Sequence, residues 1–486
     1  MTEPRVRGVV IHLRPMDLPA ARIDSLRDLV DRLRRSGKRV VCWASSYTSS
    51  TYQVACAADE ILLQPGGAIS PLGLVREYAF LADALARVGV QADLLQITPY
   101  KTAGDALTKR GLTPEARKMA EWLADSAFSA LVGAVMAGRR RSEEAARRLI
   151  DDSPFTDDVA LSEAVVDGLL SEEELPSRLG GPLTGWNQTR RRLPPARPPR
   201  PGRFVGLIRV EGTIVDGRSR RAPFKPPLRP PLLFEDQCGD LTVVQQARAL
   251  AANRRVGAVV LWVESGGGSA TASEAMAAAL TALAARKPLV AAMGSVAASG
   301  GYYVATPAVA VFAQPGTLTG SIGVLGGKLV TGGLFDRLLV HRDLVQRGEH
   351  AAMFSAGRPF SEPERRKLRE SIDRSYRVFL QRVAAFRRRE VAEIEPVAGG
   401  RVWTGRQALD HGLVDEMGGL PRALEEARTR AGLRADAPVR ELVTGRRELP
   451  PALATAPAAL GHALEVAAAF NLAAVWWLCP LALTEV

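Results

Sequence analysis

The sequence predicts an α/β fold made of two tandem copies of one unit. Shifting the chain by 250 positions aligns Tyr52-Gln-Val-Ala with Tyr302-Tyr-Val-Ala, and Gln64-Pro-Gly with Gln314-Pro-Gly. Continuous apolar runs such as residues 257–263 are typical of strands buried on both faces of a parallel sheet. Helical patterns separate these runs, so each copy alternates strands with helices.

The repeat and the composition between its copies divide the chain into four regions. We predict an N-terminal domain over residues 1–186, an extended Pro/Arg-rich linker over 187–202, a C-terminal domain over 203–440 and an apolar tail over 441–486. The second copy begins with a strand and a helix, within residues 203–256, that the first copy lacks. The first copy is therefore shortened at its N-terminus, or the true start of the chain lies upstream.

Charge and cysteine content exclude several classes of protein. The formal net charge is +12, but the excess arginines lie in the linker and on helix faces without interleaved aromatic residues, so we expect no nucleic-acid partner. The four cysteines, Cys42, Cys56, Cys238 and Cys479, form no CxxC pair. We expect buried free thiols and neither a metal nor a cofactor.

Neither end of the sequence predicts a helix that spans a membrane. The polar N-terminus leads directly into a strand-like run, which predicts neither a signal peptide nor an N-terminal anchor. Residues 460–483 are apolar but interrupted, and their uninterrupted piece, 472–479, is far shorter than the ~20 residues that a bilayer requires. We expect an interfacial or partner-docking helix there, or a helix packed on the protein's own surface.

A serine lies at a predicted corner between a strand and a helix. In Met293-Gly-Ser-Val-Ala-Ala-Ser-Gly-Gly-Tyr-Tyr, an apolar strand ends and Ser299 precedes two glycines and a helix-like run. Such a corner places a hydroxyl beside backbone N–H groups that favour developing negative charge. A second turn, Glu264-Ser-Gly-Gly-Gly-Ser, follows a buried strand and offers unshielded N–H donors, although it fits neither a P-loop nor GxGxxG.

A nucleophilic serine needs a base, and the histidines do not supply one. None of the five histidines lies in a motif-like setting. Lys101 follows an apolar strand in Ile97-Thr-Pro-Tyr-Lys-Thr-Ala-Gly, without the usual charged neighbours. Such a lysine is either an ordinary surface residue or, when burial keeps it uncharged, a general base.

Several motifs together resemble the long-form signal peptide peptidase A proteins, also called protease IV, of peptidase family S49. The similarity covers roughly residues 6–430 and involves both halves of the chain. The motifs are Ser36-Gly-Lys, Pro99-Tyr-Lys-Thr-Ala, Leu112-Thr-Pro-Glu-Ala-Arg, 264–274, 293–306, Leu318-Thr-Gly-Ser-Ile-Gly-Val, Val402-Trp-Thr-Gly and Gly412-Leu-Val-Asp.

The resemblance implies a tandem ClpP/crotonase-like fold and a serine endopeptidase with a Ser/Lys dyad. Ser299 matches the nucleophile and Lys101 the base, 198 positions apart, so docking of domains or subunits would assemble the site. Ser321 matches the residue that hydrogen-bonds the lysine. The oxyanion-hole region is matched by three glycines, Gly267, Gly268 and Gly300.

The same resemblance implies the setting in which the enzyme works. The family forms membrane-associated tetramers in the cell envelope, which cut small, largely apolar peptides such as cleaved signal peptides. We therefore expect peptide substrates, a homo-oligomer and contact with a membrane surface. Because no anchor is evident in the sequence, a cytoplasmic location stays open.

Two departures from the family pattern bear on activity. Glu264 and Gly266 stand where the family usually has Asn and Pro, which loosens the loop and could add charge near the site. At the 250 offset Lys101 falls on Ala351, and no lysine stands between Lys328 and Lys367, so the second copy has no lysine of its own at the matching position. The altered loop supports an alternative, a weak or inactive scaffold that binds peptides or a membrane partner. Crotonase-type acyl-CoA chemistry is a third reading, for which the sequence offers no CoA-specific pocket.

Overall fold

The computed structural model describes residues 5–193, 202–220 and 236–441, together with the backbone of residues 476–478. The chain divides into two units. The first comprises Met1–Arg76 and Trp122–Arg200, and the second comprises Glu77–Glu121 and Pro201–Val486.

The elements of residues 5–193 belong to both units. In chain order they are β1 Gly8–Leu13, α1 Ala20–Arg35, β2 Arg39–Tyr47, α2 Ser49–Ala55, β3 Glu60–Ile69, α3 Ala82–Arg87, β4 Gln91–Gln96, α4 Asp105–Thr108, α5 Pro114–Arg139, α6 Glu143–Asp151, β5 Phe155–Thr156, α7 Asp157–Ser162, β6 Gly168–Leu169, α8 Leu175–Leu179 and α9 Trp186–Arg192, with 3₁₀ helices at Thr102–Gly104 and Glu172–Glu174.

The described residues after the linker belong to the second unit. Their elements are β7 Phe204–Glu211, β8 Thr213–Val215, β9 Gln237–Gly239, α10 Asp240–Ala252, β10 Val256–Ser265, β11 Gly267–Ser269, α11 Ala270–Ala284, β12 Leu289–Ala298, α12 Gly300–Ala305, β13 Ala310–Ala313, β14 Leu318–Gly320, β15 Leu325–Val330, α13 Gly332–Arg337, α14 Glu362–Arg387, α15 Val391–Ile394, β16 Val402–Thr404, α16 Gly405–Asp410, β17 Glu416–Met417, α17 Leu420–Arg430, β18 Val439–Glu441 and β19 Trp476–Leu478, with a 3₁₀ helix at Glu395–Val397.

Buried parallel strands form the centre of each unit, as the apolar runs predict. In the first unit β2 pairs in parallel with β1 and β3. In the second, β10 pairs in parallel with β7 and β12, and its apolar side chains are buried on both sheet faces. The larger sheet of the second unit has the order β16-β14-β12-β10-β7-β18.

The predicted duplication is confirmed by the order of elements. At the 250 offset, β1, α1, β2 and α2 correspond to β10, α11, β12 and α12. Strand β7 and helix α10 precede β10, whereas the described residues before β1 contain no equivalent pair. Each copy builds the same parallel core, and the second copy extends it by one strand.

The segment Glu77–Glu121, which we call the arm, differs from the predicted domain division. Prediction placed it in the N-terminal domain of residues 1–186, but it belongs to the second unit. The physical reason is strand pairing: β4 in the arm pairs antiparallel with β15 over six residues. The buried Asp93 carboxylate in β4 also accepts hydrogen bonds from the Phe360 backbone N–H (2.8 Å) and from Arg365 (2.7 Å).

The described parts of the predicted linker and of the C-terminal tail also differ from the prediction. The first part of the predicted extended linker, residues 187–202, forms the end of helix α9, because proline is absent until residue 194. Residues 194–201 lie outside the described residues. In the tail, the prediction of a helix is wrong for residues 476–478, which form strand β19 because β11 and β15 supply partners on both edges. The rest of the tail after residue 441 lies outside the described residues.

Helix α5 is the one helix, among the described residues, that is long and apolar enough to cross a membrane. The test concerns length and composition only, which core helices of soluble proteins also satisfy. Only 33% of its most apolar stretch is buried.

We expect Asp93→Ala to loosen the arm. The substitution leaves the buried Phe360 N–H without its acceptor, a loss of about 1–3 kcal/mol. The melting temperature should fall, and limited proteolysis within residues 77–121 should accelerate. Asp83→Ala is the matched control, since Asp83 pairs with Arg110 at the exposed arm surface. Equal behaviour of the two variants would show that Asp93 does not hold the arm.

Candidate active site

Ser299 occupies a sharp turn between β12 and α12. Its backbone has φ 55° and ψ −118°, a conformation that non-glycine residues rarely adopt and that the surroundings must hold. The Ser299 N–H donates to the Gly320 carbonyl oxygen (2.8 Å), and the Ser299 carbonyl oxygen accepts from the Tyr303 N–H (2.9 Å). The side chain is completely buried. The predicted strand-to-helix corner is therefore present, and backbone hydrogen bonds hold both the N–H and the carbonyl group of Ser299.

Two glycines after Ser299 allow this corner to approach the glycine-rich turn. A Cβ on Gly301 would lie 2.4 Å from the Ser265 carbonyl oxygen. A Cβ on Gly300 would lie 2.7 Å from the Ser273 Oγ and 3.2 Å from the Gly267 Cα. Because Gly300 is the first residue of α12, its N–H has no partner within that helix.

The glycine-rich turn connects β10 to β11. Gly267 has φ 106°, and its N–H donates to the Ser265 Oγ (3.1 Å), which in turn donates to the Gly212 carbonyl oxygen (2.6 Å). The predicted Gly267 donor is thus close to the corner but bonded to a neighbouring hydroxyl. Gly268 must be glycine, since a Cβ there would lie 2.0 Å from the Ile214 carbonyl oxygen.

The Lys101 side chain reaches Ser299 from the arm. Its Nζ lies 2.8 Å from the Ser299 Oγ, 3.0 Å from the Ser321 Oγ and 2.9 Å from the Ser321 carbonyl oxygen. Lys101 is 0% exposed. Because the arm and the corner belong to one unit, the predicted pair meets within that unit, and no docking of separate domains is needed.

Residues that the sequence analysis did not single out complete the walls around the lysine. Gly400 has φ 89°, and a Cβ there would lie 2.6 Å from the Lys101 backbone nitrogen. The Ser321 N–H donates to the Arg401 carbonyl oxygen (2.6 Å), and Ser321 itself has a positive φ of 50°. The adjacent glycines at 399 and 400 were the only sequence signal for this close approach.

Glu264 lies beside the corner, and its carboxylate binds backbone. Its oxygens accept hydrogen bonds from the N–H groups of Ser295 (3.0 Å) and Val296 (3.3 Å). These residues belong to an irregularity where β12 passes β10 between the pairs Val263↔Met293 and Ser265↔Ala297. Glu264, which stands where the family usually has Asn, therefore stabilises the backbone bulge of β12 that precedes Ser299. The sequence did not reveal this role.

Substitution of Glu264 tests this bracing role. Glu264→Ala should lower the melting temperature, because two backbone N–H groups lose their acceptor at about 1–3 kcal/mol each. Glu264→Gln retains a carbonyl acceptor and should recover most of the loss in a thermal unfolding assay. An alanine variant as stable as the parent, or a glutamine variant no better than alanine, contradicts the role.

Asp105, four residues after Lys101, is a buried carboxyl with incomplete hydrogen bonding. Its Oδ2 accepts from the Thr113 hydroxyl at 3.4 Å, and its Oδ1 has no hydrogen-bond partner among the described residues. Burial raises the pKa of this carboxyl to about 6, with Lys109 and Thr113 opposing the rise. Burial therefore shifts Asp105 toward its protonated form, which predominates only below about pH 6.

Asp105→Asn should alter the pH dependence of stability. A folded-state pKa above the unfolded value means that the parent loses stability as pH rises from about 4 to about 6, whereas the variant does not. The difference in melting temperature between the variant and the parent should therefore rise across this window. A difference that is constant from pH 4 to pH 8 would contradict the assignment.

The described thiols are inert. Cys42, Cys56 and Cys238 are free and buried, as predicted, and burial raises the pKa of their thiols to about 12, about 12 and about 11. Cys479 lies outside the described residues. Across residues 5–193, 202–220 and 236–441, no three His, Cys, Asp or Glu side chains cluster as a metal site would require.

Comparison with known proteins adds independent evidence. The profile of peptidase family S49 matches residues 32–180 and 281–434. The serine protease SPPA of Arabidopsis thaliana chloroplasts is 28% identical over 450 residues, which is 89% of this chain and 64% of the relative. Protease 4 of Salmonella typhi is 29% identical over 88% of this chain and 70% of its own length. Protease 4 of Haemophilus influenzae is 27% identical over 90% of this chain and 72% of its own length.

Proposed function

Because the chain belongs to peptidase family S49, we propose that it is a serine endopeptidase with Ser299 as nucleophile and Lys101 as general base. The observation that carries the proposal is the 2.8 Å distance between the Lys101 Nζ and the Ser299 Oγ, with both side chains fully buried. A nucleophile and base at this separation can exchange a proton directly.

The surroundings of Lys101 suit an uncharged amine. Removal of an ammonium group from water favours its neutral form. A neutral amine has two N–H donors, which the Ser321 carbonyl oxygen and Oγ can accept, and one lone pair, which faces the Ser299 hydroxyl. In the reaction, Lys101 takes the Ser299 proton during attack on the substrate carbonyl and returns it to the leaving amine.

Backbone N–H groups at the corner would stabilise the tetrahedral intermediate. The Gly300 N–H is available at the start of α12, and the Gly267 and Gly268 amides lie against it. The Gly267 N–H would exchange its Ser265 partner for the oxyanion. Each such donor is typically worth about 3 kcal/mol in the transition state.

We further propose that the substrates are small, largely apolar peptides such as cleaved signal peptides. The names of the relatives, serine protease SPPA and protease 4, agree with proteolysis. A homo-oligomer, a tetramer by analogy with the family, would act at a membrane surface of the cell envelope. These assignments extend the family resemblance to this chain.

Peptide hydrolysis by variants tests the dyad. Ser299→Ala and Lys101→Met should each lower kcat/KM for a fluorogenic apolar peptide by at least about a thousandfold, since each removes a member of one catalytic unit. A fluorophosphonate probe should label the parent at Ser299 and leave Ser299→Ala unlabelled.

Matched controls come from a serine and a lysine outside the proposed dyad. Ser49 corresponds to Ser299 at the 250 offset and is half-buried in the first unit, while Lys109 is an exposed lysine of the arm. Ser49→Ala and Lys109→Met should retain hydrolysis. The dyad is wrong if Ser299→Ala or Lys101→Met hydrolyses the peptide as the controls do.

A further inference from the structure

The strand that anchors the arm has a counterpart in the second copy. At the 250 offset, α3 Ala82–Arg87 falls on α13 Gly332–Arg337 residue for residue. The same offset places β4 on residues 341–346, where Asp93-Leu-Leu-Gln becomes Asp343-Leu-Val-Gln. Strand β4 pairs with β15 over six residues. Residues 341–346 form neither helix nor strand and make no backbone–backbone hydrogen bond to any described residue. A second arm strand is therefore present in the sequence without a partner strand.

The strand that receives the arm also has a counterpart. At the 250 offset, β15 falls on residues 75–80, which precede α3 as β15 precedes α13. Those residues form neither helix nor strand either. Val75 is 88% exposed, and Leu344 and Val345 of the other segment are 60% and 86% exposed. Both halves of the pairing that holds the arm are thus displayed a second time, at the surface and with exposed apolar side chains.

The ion pair that anchors the arm is repeated in the same way. Asp93 is buried in β4, and its carboxylate pairs with the Arg365 guanidinium of α14 at 2.7 Å. Helices α5 and α14 coincide over their full lengths at an offset of 248, which places Arg117 at the position of Arg365. The counterpart of Asp93 is Asp343. Asp343 and Arg117 are both exposed, and within the part of the chain that the structure describes neither side chain forms an ion pair.

We propose that residues 341–346 of one chain pair antiparallel with residues 75–80 of a second copy, and that Asp343 forms an ion pair with Arg117 of that copy. The contact repeats between chains the junction that β4 and β15 make within one chain. This inference gives an interface to the homo-oligomer of the proposed function and rests on that part of it. Because the two segments are different surfaces, every copy both donates and receives a strand, which builds a ring or a filament.

Charges across the new junction are complementary in the register of the old one. Transfer of the β4–β15 register places Val345 opposite Arg76. Residues two positions along the opposing strand lie on the same face as diagonal neighbours. Arg76 is then diagonal to Asp343, and Glu77 is diagonal to Arg342, so both diagonals join opposite charges. A slip by one residue would move these side chains to opposite faces and lose both pairs.

The new junction serves assembly and not chemistry. Ala351 stands at the position of Lys101, and Ser49, the counterpart of Ser299, has no positive φ. The contact between Lys101 and Ser299 is complete within one unit of one chain. Loss of the junction should therefore separate the copies and leave the reactivity of Ser299 in place.

Charge reversal tests the ion pair, with size-exclusion chromatography and light scattering of the full chain as the measurement. Asp343→Arg and Arg117→Asp should each weaken self-association by at least about a hundredfold, because like charges then face each other. An equimolar mixture of the two variants should restore the assembly of the parent, since every junction of an alternating assembly then joins opposite charges. Reversals that leave assembly intact, or a mixture that does not recover it, overturn the proposal.

Two matched reversals control for charge alone. Asp336→Arg and Lys118→Asp change exposed residues that are close in sequence to the ion pair but outside it. Both variants should assemble as the parent does. Dissociation by these controls to the same extent as by Asp343→Arg would show a general effect of charge and would overturn the pair.

Cysteine cross-linking tests the register and the partner. Chains with Arg76→Cys are mixed with chains with Val345→Cys and oxidised, and a disulfide between two chains is expected because the two positions lie directly opposite. Leu344→Cys, on the other face of the strand, should link at least about tenfold less in place of Val345→Cys. Equal linking at 344 and 345 overturns the register. A chain with both Arg76→Cys and Val345→Cys that links only to itself overturns the second copy as partner.

The same variants separate this inference from the proposed function. The fluorophosphonate probe should label Ser299 in the dissociated Asp343→Arg chain as it does in the parent. If the parent hydrolyses the peptide through Ser299 but both reversals assemble normally, the interface fails and the dyad stands. If the parent is itself a monomer, the homo-oligomer and the interface fail together and the dyad stands. If assembly follows the charge-swap pattern but no form hydrolyses peptides or reacts with the probe, the dyad fails and the interface stands.

Discussion

The burial of the Lys101 amine is the interaction on which the arrangement of the second unit depends. An amine removed from water must find hydrogen-bond partners, and Lys101 finds them in the Ser299 hydroxyl and in two oxygens of Ser321. Those partners have positive φ angles, which their surroundings must hold. The arm, the corner and the Gly399–Gly400 turn are therefore coupled, because the arm carries Lys101, the corner binds its amine, and Gly400 packs against its backbone.

Duplication has produced two copies with different tasks. The first copy supplies the arm, whose β4 completes a sheet of the second unit. Its own corner has lost the geometry of the second: Ser49 is the first residue of α2 behind the cap Thr48, has no positive φ, and its hydroxyl accepts from the Gly73 N–H. The second copy retains the corner but has Ala351 at the lysine position. The one close contact between Lys101 and Ser299 therefore takes one residue from each copy.

The candidate site lies next to strands of the six-stranded sheet β4-β15-β19-β11-β8-β9. Strand β11 begins at Gly267, which approaches the Ser299 corner, and β15 begins two residues after Gly323, which approaches the Lys101 side chain. Strand β19 pairs with both strands. Backbone pairing and hydrogen bonds explain how a loop with Gly266 in place of proline can still be ordered. Gly268 is held by β8, Gly267 by the Ser265 hydroxyl, and the neighbouring bulge of β12 by Glu264.

The sequence by itself determined the duplicated α/β core and the corner at Ser299, because apolar runs, glycines and a repeat at constant offset can be read from the order of residues. It indicated Lys101 only through the motifs that resemble peptidase family S49. It did not determine which unit the arm joins, because strand pairing between β4 and β15 depends on backbone edges that carry no sequence signature. The partners of Glu264 were hidden for the same reason: they are backbone N–H donors of a bulge, a group that every residue type except proline possesses. The position of the tail strand was decided by tertiary structure alone, since only the folded second unit offers two free edges with a gap one strand wide.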